Sequence, residues 1–361
     1  MVVSIKNYLK NIPGKGINRK VIAFAVDDYG NIRQNDWTSL QYMERHGFEI
    51  QNHFDRLDGL STSDDLNALF DVLSKHRDHN AIPPVFTVFT NPQNLNFEKI
   101  VSDGYSSVEY EDFTESMNKY SQVDTADIFM NGIEAKYLYP EYHGRTHFHE
   151  GMFVSNLLKK DTQTFWCLDH QCYTGLTNHS NNHQSYLSTY SYNDKKEFES
   201  LKIHLNEGIL AFERIFGRRP LHFTSPGQLT HEELHRYLFE QGVLYIDTTP
   251  IKRQFEGNNK YSLVISWLGK KNKNGPTAIV RNCIFEPMYG IDVGHTLNQI
   301  KIAFALNKPA IISTHRVNFC GRIDENNRKQ GLKKLDVLIS SILKKWPDVE
   351  FMPTTQMAAL I

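Results

Sequence analysis

The sequence predicts an α/β fold organised as one barrel-like domain. Two short apolar runs, 21–26 (VIAFAV) and 85–90 (VFTVFT), have the length and β-branched content of fully buried strands. A segment with helical periodicity follows the first run, and strands alternate with helices across the chain as a whole, which is typical of a parallel sheet. At 361 residues and 40% hydrophobic content, the chain can bury a large core. We expect a polar lead-in over 1–20 and a single domain over 21–361.

Helix signals separate the predicted strands. A cap at Asp194 and a terminating Gly217 bound a long helix, and the apolar spacing from Leu332 to Leu343 predicts another near the end. The predicted helices are 37–46, a helix from 63 with Leu66, Leu69, Phe70 and Leu73 on one face, 194–216, 230–240 and the last one through 332–343.

Further strand candidates follow the same rules. They are 221–223, 243–246, 262–267, 278–285 and 310–313. Two segments carry no clear pattern: 91–142 is aromatic and acidic, and 173–193 is rich in Asn, Ser, Thr, His and Tyr. We expect both to be insertions in the barrel, the second as a surface excursion.

The charge balance and cysteine content exclude several classes of protein. With 40 Lys and Arg against 41 Asp and Glu, no basic face for nucleic acid is expected. No apolar run reaches the ~18 residues of a membrane span, and the amino terminus lacks the apolar core of a secretory signal. The four cysteines have no CxxC spacing, which favours free thiols. We therefore expect a cytoplasmic protein, and the sequence leaves its oligomeric state open.

An acidic pair, Asp27 and Asp28, directly follows the first predicted strand. Unpaired carboxylates beside a buried strand are costly, and the carboxyl ends of parallel strands are where ligands and catalytic groups collect. The pair predicts a site for a metal, a proton or both. The alternative is a turn-forming acidic pair without a function.

Histidine pairs at i and i+4 occur three times and are candidate metal donors, because one helical turn would align both rings. His231 and His235 form a formal HExxH match, the pattern of zinc peptidases. However, Thr230–Glu233 is also a capping box, which predicts the start of an exposed helix. His179 and His183 lie in a polar stretch without a nearby carboxylate, so they are interpreted as surface residues. His143 and His147 remain, with Gly144 between them.

Four motifs occur in a fixed order: Phe24–Asp28, His143-x-x-x-His147, Phe223-Thr224-Ser225-Pro226-Gly227 and Ile312–His315. This series resembles that of the NodB-type polysaccharide deacetylases, over roughly 20–355. The resemblance implies a distorted (β/α) barrel and one divalent metal, expected to be Zn²⁺, with other divalent ions left open.

The resemblance also implies roles for individual residues. Asp28, His143 and His147 would bind the metal, Asp27 would be the general base and His315 the general acid. Candidate substrate-binding residues are Arg145, Pro226, Gly227 and Trp267. The implied function is a metal-dependent hydrolase that removes N-acetyl groups from an amino sugar or polysaccharide, so the expected partner is a carbohydrate substrate.

The chain departs from the family pattern at Thr224, where the family has an arginine that orients the base. Arg145 or Arg316 could supply a replacement charge, and Asp247 and Trp267 are candidates for a fourth motif. Three alternatives remain open: a non-catalytic carbohydrate-binding barrel, a zinc peptidase using 231–235, and a hydrolase of a non-sugar amide or cyclic ureide.

Overall fold

The structure is a computed structural model that describes residues 2–48, 50, 52–122, 124–176, 180–181, 184–257 and 260–361. The α-helices in this part of the chain are α1 (Val2–Asn11), α2 (Trp37–Arg45), α3 (His53–Leu57), α4 (Ser63–Ser74), α5 (Phe97–Ser102), α6 (Phe113–Tyr120), α7 (Thr125–Glu134), α8 (Glu150–Leu158), α9 (Thr162–Asp169), α10 (Lys195–Phe216), α11 (Glu232–Glu240), α12 (Val293–Ala305), α13 (Glu325–Lys345) and α14 (Thr354–Ala358). The strands are β1 (Val21–Tyr29), β2 (Phe86–Thr90), β3 (Gln93–Leu95), β4 (Tyr110–Asp112), β5 (Leu138–Tyr142), β6 (Ser180–Asn181), β7 (Gln184–Ser185), β8 (His222–Phe223), β9 (Tyr245–Asp247), β10 (Ile251–Phe255), β11 (Tyr261–Ile265), β12 (Thr277–Ile279), β13 (Cys283–Ile284), β14 (Ala310–His315) and β15 (Glu350–Phe351).

The main sheet is parallel and curls into a distorted barrel. Its order is β12-β9-β8-β5-β2-β1-β14-β13, with β15 paired to β1, so the barrel strands follow one another in chain order and β14 returns beside β1. The two edge strands, β12 and β13, are joined by 280–282 alone. Four Cα–Cα steps span at most about 15 Å, so these edges lie close together across one gap in the hydrogen bonding. The predicted α/β barrel is confirmed.

Long amphipathic helices cover this barrel and bury its core. In α10, the Asp194 side chain accepts the backbone N–H of Glu197, and Gly217 ends the helix at φ +67°. In α13, Leu335, Leu338 and Ile342 are fully buried. The bounds of α10 match the prediction, and the buried residues of α13 lie on the predicted apolar face. The helices within the described ranges include none with the length and apolar character of a membrane span, and all four cysteines are free and buried.

The predicted single strand 278–285 is two strands in the structure, β12 and β13. The chain crosses from one sheet edge to the other at 280–282, so the apolar run is interrupted by a change of pairing partner, from β9 to β14. The predicted strand 262–267 corresponds to β11, which pairs with β10 in an antiparallel hairpin outside the barrel sheet.

The two segments without clear patterns are both structured where they are described. The segment 91–142 forms β3, β4 and α5–α7 and ends in the barrel strand β5. Within 173–193, Tyr186 and Tyr190 are fully buried, so their rings pack into the core rather than decorating the surface. His179 and His183 lie outside the described residues.

Candidate active site

The strand β1 continues three residues beyond the predicted run, to Tyr29, and carries both aspartates. Its pairing with β2 shifts register between Val26 and Tyr29, and Asp28 has φ +72°. A bulge with a non-glycine residue in the left-handed region costs energy and re-aims a side chain. As a result, Asp27 and Asp28 both line one cavity instead of pointing to opposite faces of the sheet.

Asp28 lies against two imidazoles. Its Oδ1 is 3.2 Å from His143 Nε2 and 2.9 Å from His147 Nε2. His143 Nδ1 is 2.8 Å from the Thr224 carbonyl oxygen, which can only accept, so this nitrogen carries the proton. In the tautomer with Nδ1 as the only protonated ring nitrogen, His143 directs the lone pair of Nε2 at a carboxylate oxygen. Two acceptors face each other here, an arrangement that a bound cation would resolve.

The protonation states of this group also suit a cation. Burial raises the pKa of Asp28, but the two imidazoles outweigh that effect and hold the pKa well below its ordinary value. Burial lowers the pKa of His147 despite the neighbouring carboxylate. An ionised Asp28 and a neutral His147 are the forms that bind metal.

The residues present therefore fit a divalent metal. In the described part of the chain, Asp28, His143 and His147 are the single group of three candidate ligands, with their ligand atoms within 4.8 Å of one another. Two imidazoles and one carboxylate hold zinc or iron and leave positions open for water and substrate.

The two histidines lie in the loop after β5 and not on a helix, contrary to the expectation from their spacing. Gly144 between them has φ +86°, and a Cβ at this position would collide with the Tyr190 hydroxyl. The loop, rather than a helical turn, brings the rings together.

Arg281 binds the other aspartate. Its Nη1 and Nη2 donate to the two carboxylate oxygens of Asp27 at 2.6 and 2.7 Å. Its Nε donates to Asp247 Oδ2 at 2.8 Å, and Nη2 also donates to Thr224 Oγ1 at 2.9 Å. The Thr224 hydroxyl donates in turn to Asp247. Thr224, which stands where an arginine was expected, thus belongs to a network whose guanidinium comes from the join between β12 and β13.

Sequence reasoning missed Arg281 and proposed Arg145 or Arg316 instead. Arg316 donates to Asp58 Oδ1 at 2.7 Å, away from Asp27. Asp247, a candidate for the fourth motif, does join the network. No sequence signal identifies Arg281, because it lies inside a run that looks like one continuous strand and 254 positions from Asp27.

His315 ends β14 on the other side of Asp27. Its Nδ1–H donates to Glu286 Oε1 at 2.6 Å, and Nε2 lies 3.8 Å from Asp27 Oδ2. Asn318 Nδ2 donates to the second Glu286 oxygen at 2.6 Å. Burial lowers the pKa of His315, but the Glu286 carboxylate and the two aspartates raise it more, to about 9. Glu286 was also missed, although it follows the predicted strand 278–285 directly, as Asp27 follows the predicted strand 21–26.

These groups surround a cavity of about 340 Å³. Its lining is Asp27, Asp28, Arg33, Phe54, His143, His147, Leu187, Thr224, Ser225, Gly227, Gln228 and His315. The Phe54 ring meets the His315 ring edge-on with centroids 4.9 Å apart. The carboxyl ends of the barrel strands thus bring five predicted site residues and Gly227 to one place.

The other predicted substrate-binding residues lie elsewhere. Pro226 is buried beside Gly227 and does not line the cavity. Arg145 donates to Gln93 Oε1 at 2.7 Å and stacks on Tyr110 at 3.7 Å. The Lys270 ammonium lies over the Trp267 ring, 5.1 Å from the ring centroid. Neither Arg145 nor Trp267 reaches the cavity, since their partners hold them outside it.

The HExxH segment does not assemble a ligand group. His231 is the N-cap of α11 and contacts Glu256 Oε2 at 3.0 Å, whereas His235 is buried with Nε2 3.2 Å from the Lys252 ammonium. A neighbouring ammonium opposes metal binding by electrostatic repulsion. The predicted cap, Thr230, is displaced by one residue because its hydroxyl is bonded to His235 and Lys252.

Comparison with solved structures returns proteins of varied function. A protein from Mycobacterium smegmatis assigned as a polysaccharide deacetylase matches at 13% identity and TM-score 0.44, over 96% of this chain and 93% of that one. The peptidoglycan deacetylase PdaC from Bacillus subtilis matches at 10% identity and TM-score 0.37, over 95% and 92%. A 4-alpha-glucanotransferase from Thermococcus litoralis matches at 10% identity and TM-score 0.49, over 95% of this chain but 40% of that one.

The matches include deacetylases, the class whose motif series the sequence resembles. No protein-family model and no curated protein matches this chain. At these identities and TM-scores the likenesses carry no functional argument, which rests on the geometry of the site.

Proposed function

We propose that this chain is a metal-dependent hydrolase that removes N-acetyl groups from an amino sugar or polysaccharide. One observation carries the proposal. The Asp27 carboxylate is held between Arg281 and His315, beside a group of Asp28, His143 and His147 that fits a divalent metal. Amide hydrolysis needs a polarised carbonyl, a base for water and an acid for the leaving amine, and this cavity contains a candidate for each requirement.

Asp28, His143 and His147 would hold the metal. When bound, a divalent ion such as Zn²⁺ polarises the amide carbonyl and makes a neighbouring water more acidic.

Asp27 would take the proton of the attacking water. The bidentate contact with Arg281 fixes the plane of its carboxylate and leaves lone pairs on both oxygens free to accept. Arg281 is itself fixed by Asp247, so the base is oriented by a buried network rather than by one contact.

His315 would donate a proton to the departing amine. Its elevated pKa keeps the ring protonated at neutral pH, and the contact with Glu286 directs Nε2 towards Asp27 and the cavity. The acid and the base are neighbours, with His315 Nε2 3.8 Å from Asp27 Oδ2, and both line the cavity in which the tetrahedral intermediate would form.

The alternative of a non-catalytic carbohydrate-binding barrel rested on the missing third-motif arginine. Arg281 supplies a guanidinium to Asp27, which favours catalysis. The zinc peptidase alternative loses support because His231 and His235 have separate partners.

The test is acetate release from a panel of N-acetylated amino sugars and their oligomers, with non-sugar amides and a cyclic ureide included. Wild type, Asp27→Asn and Asp28→Ala are compared, with bound metal measured in each. Asp71→Asn, an exposed aspartate on α4, is the matched control. The proposal expects activity in wild type and the control only. If only the non-sugar amides were hydrolysed, the proposed substrate class would be wrong. If both Asp27→Asn and Asp28→Ala were as active as wild type, the mechanism would be refuted.

A further inference from the structure

A second cavity, of about 590 Å³, lies between α11, the β10–β11 hairpin and the loop 270–276. It shares no lining residue with the catalytic cavity. Its charged lining is one-sided: Arg236, Lys252, Lys270, Lys271 and Lys273 face a single acid, Glu232. A concave site lined largely by cations focuses a positive potential, which attracts anions.

Lys252 is the buried member of this set. Its side chain is 6% exposed, and its Nζ contacts only neutral groups, Thr230 Oγ1 at 2.9 Å and His235 Nε2 at 3.2 Å. Across the described residues, no carboxylate lies within 4.0 Å of this ammonium. Burial lowers the pKa of Lys252 to about 7, and burial together with Lys252 keeps the pKa of His235 well below its ordinary value.

If this arrangement had only a structural role, it would lower the stability of the fold. The carboxylates of Glu232 and Glu256 raise the pKa of Lys252 less than burial lowers it. A buried ammonium with no carboxylate in direct contact costs stability, whereas a methionine of similar length would pack there without that cost. The amine becomes useful when an anion enters the cavity and pairs with it. The exposed lysines at the rim would add attraction without needing burial.

We propose that this cavity binds a small molecule carrying a phosphomonoester, with the phosphate against the Lys252 ammonium. A dianion matches five cationic side chains facing one carboxylate better than a single carboxylate would. The volume exceeds that of a phosphate and leaves room for an organic part. Gln254, Asn272 and Asn274 offer amide donors and acceptors to a polar body of this kind.

The test is calorimetric titration of the full chain with inorganic phosphate, glucose 6-phosphate and glucose, at constant ionic strength. The expected result is saturable binding of glucose 6-phosphate with a Kd below about 1 mM, weaker binding of phosphate and no binding of glucose. Binding of glucose equal to that of glucose 6-phosphate, or no saturable binding of either phosphate probe, overturns the proposal.

Three variants locate the site. Lys252→Met is expected to weaken glucose 6-phosphate binding about tenfold or more, since a charge-assisted hydrogen bond is lost. The double variant Lys271→Gln/Lys273→Gln at the exposed rim is expected to weaken binding several-fold with the fold intact. Lys329→Met, on the exposed face of α13, is the matched control and should bind as wild type does.

The stability of Lys252→Met separates a ligand site from a structural one. Thr230 and His235 still bond to each other at 2.6 Å without the amine, so the melting temperature is expected to stay or rise while binding falls. A lower melting temperature with unchanged binding would give Lys252 a structural role and overturn the proposal. Loss of binding in the rim variant but not in Lys252→Met would indicate surface attraction only and would overturn it too.

Discussion

Two histidine pairs with identical spacing have opposite surroundings in this molecule. His143 and His147 follow a buried barrel strand, and both Nε2 atoms lie within 3.2 Å of one carboxylate oxygen of Asp28. His231 and His235 begin a helix outside the barrel sheet, and their rings have different partners, Glu256 and Lys252. The first pair converges and the second diverges.

The difference shows that i, i+4 spacing does not by itself make a metal site. On a helix the spacing aligns two side chains, but α11 starts between the two residues and uses His231 as its cap. In the loop after β5 the same spacing does not correspond to a helical turn, and Gly144 permits the bend that brings the two rings together. What decides the outcome is whether both rings meet the same carboxylate, as His143 and His147 meet Asp28 at the carboxyl end of the barrel strands.

The largest expected effect comes from removing that carboxylate. Asp28→Ala leaves the two imidazoles without an anionic partner, so bound metal should fall from about one per chain to near zero. Activity should fall about 10³-fold, because the transition state loses several kcal/mol of stabilisation by the metal. Metal content is measured by elemental analysis and activity by acetate release. Wild type treated with a chelator should lose activity equally and regain it with Zn²⁺.

If Asp28→Ala kept about one metal per chain, Asp28 would not be what makes the first histidine pair a metal site. Circular dichroism of this variant checks that the barrel still folds.

The second effect concerns the acid. His315→Gln should lower kcat about 10²- to 10⁴-fold, the range for loss of general acid catalysis. Because the acid must be protonated, wild-type activity should fall as pH rises through the pKa of His315, about 9. Glu286→Gln removes the main group that raises this pKa, so the alkaline limb of the pH–rate profile should move to lower pH while bound metal stays constant.

If the alkaline limb of the pH–rate profile did not move in Glu286→Gln, a group other than His315 would be the proton donor. The Asp336→Asn variant is a carboxylate control whose profile should match wild type, because the Asp336 side chain lies on the solvent side of α13, beside His76.

The third effect compares two arginines. Arg281→Lys keeps a positive charge beside Asp27 but loses the bidentate geometry, so activity should fall about 10- to 100-fold. Arg145→Lys lies in the loop of the metal ligands but points to Gln93 and Tyr110, and should change activity by less than about threefold. Both variants should keep their metal.

If Arg145→Lys lowered activity more than Arg281→Lys did, Arg145 would be the residue that orients Asp27. A melting curve for Arg281→Lys is needed as well, because the side chains of Asp27 and Asp247, which bind Arg281, are less than 10% exposed.

The parts of the site that local patterns predict are those next to strand ends. Asp27, Asp28 and His315 follow apolar runs, and the register of β1 with β14 sets Asp27 opposite His315. The barrel itself follows from the alternation of strands and helices, and α10 from its cap and terminal glycine.

Contacts between distant segments could not be predicted in this way. Arg281 reaches Asp27 only because the sheet curls until β12 and β13 nearly meet, a property of the closed barrel and not of residues near position 281. The same holds for Lys252, whose burial depends on how a hairpin packs against α11. Neither fact leaves a trace in apolar periodicity, which reports only which face of an element is buried.

The smallest expected effect belongs to the second histidine pair. His231→Ala removes the acceptor of the Glu233 backbone N–H and the exposed contact with Glu256. The free energy of unfolding should fall by about 0.5–1 kcal/mol, the cost of losing an N-cap, measured by urea denaturation. Bound metal and acetate release should equal those of wild type, whereas His143→Ala should lose both. If His231→Ala instead lost metal while His143→Ala kept it, the contrast between the two pairs would be reversed, and the HExxH segment would be the metal site.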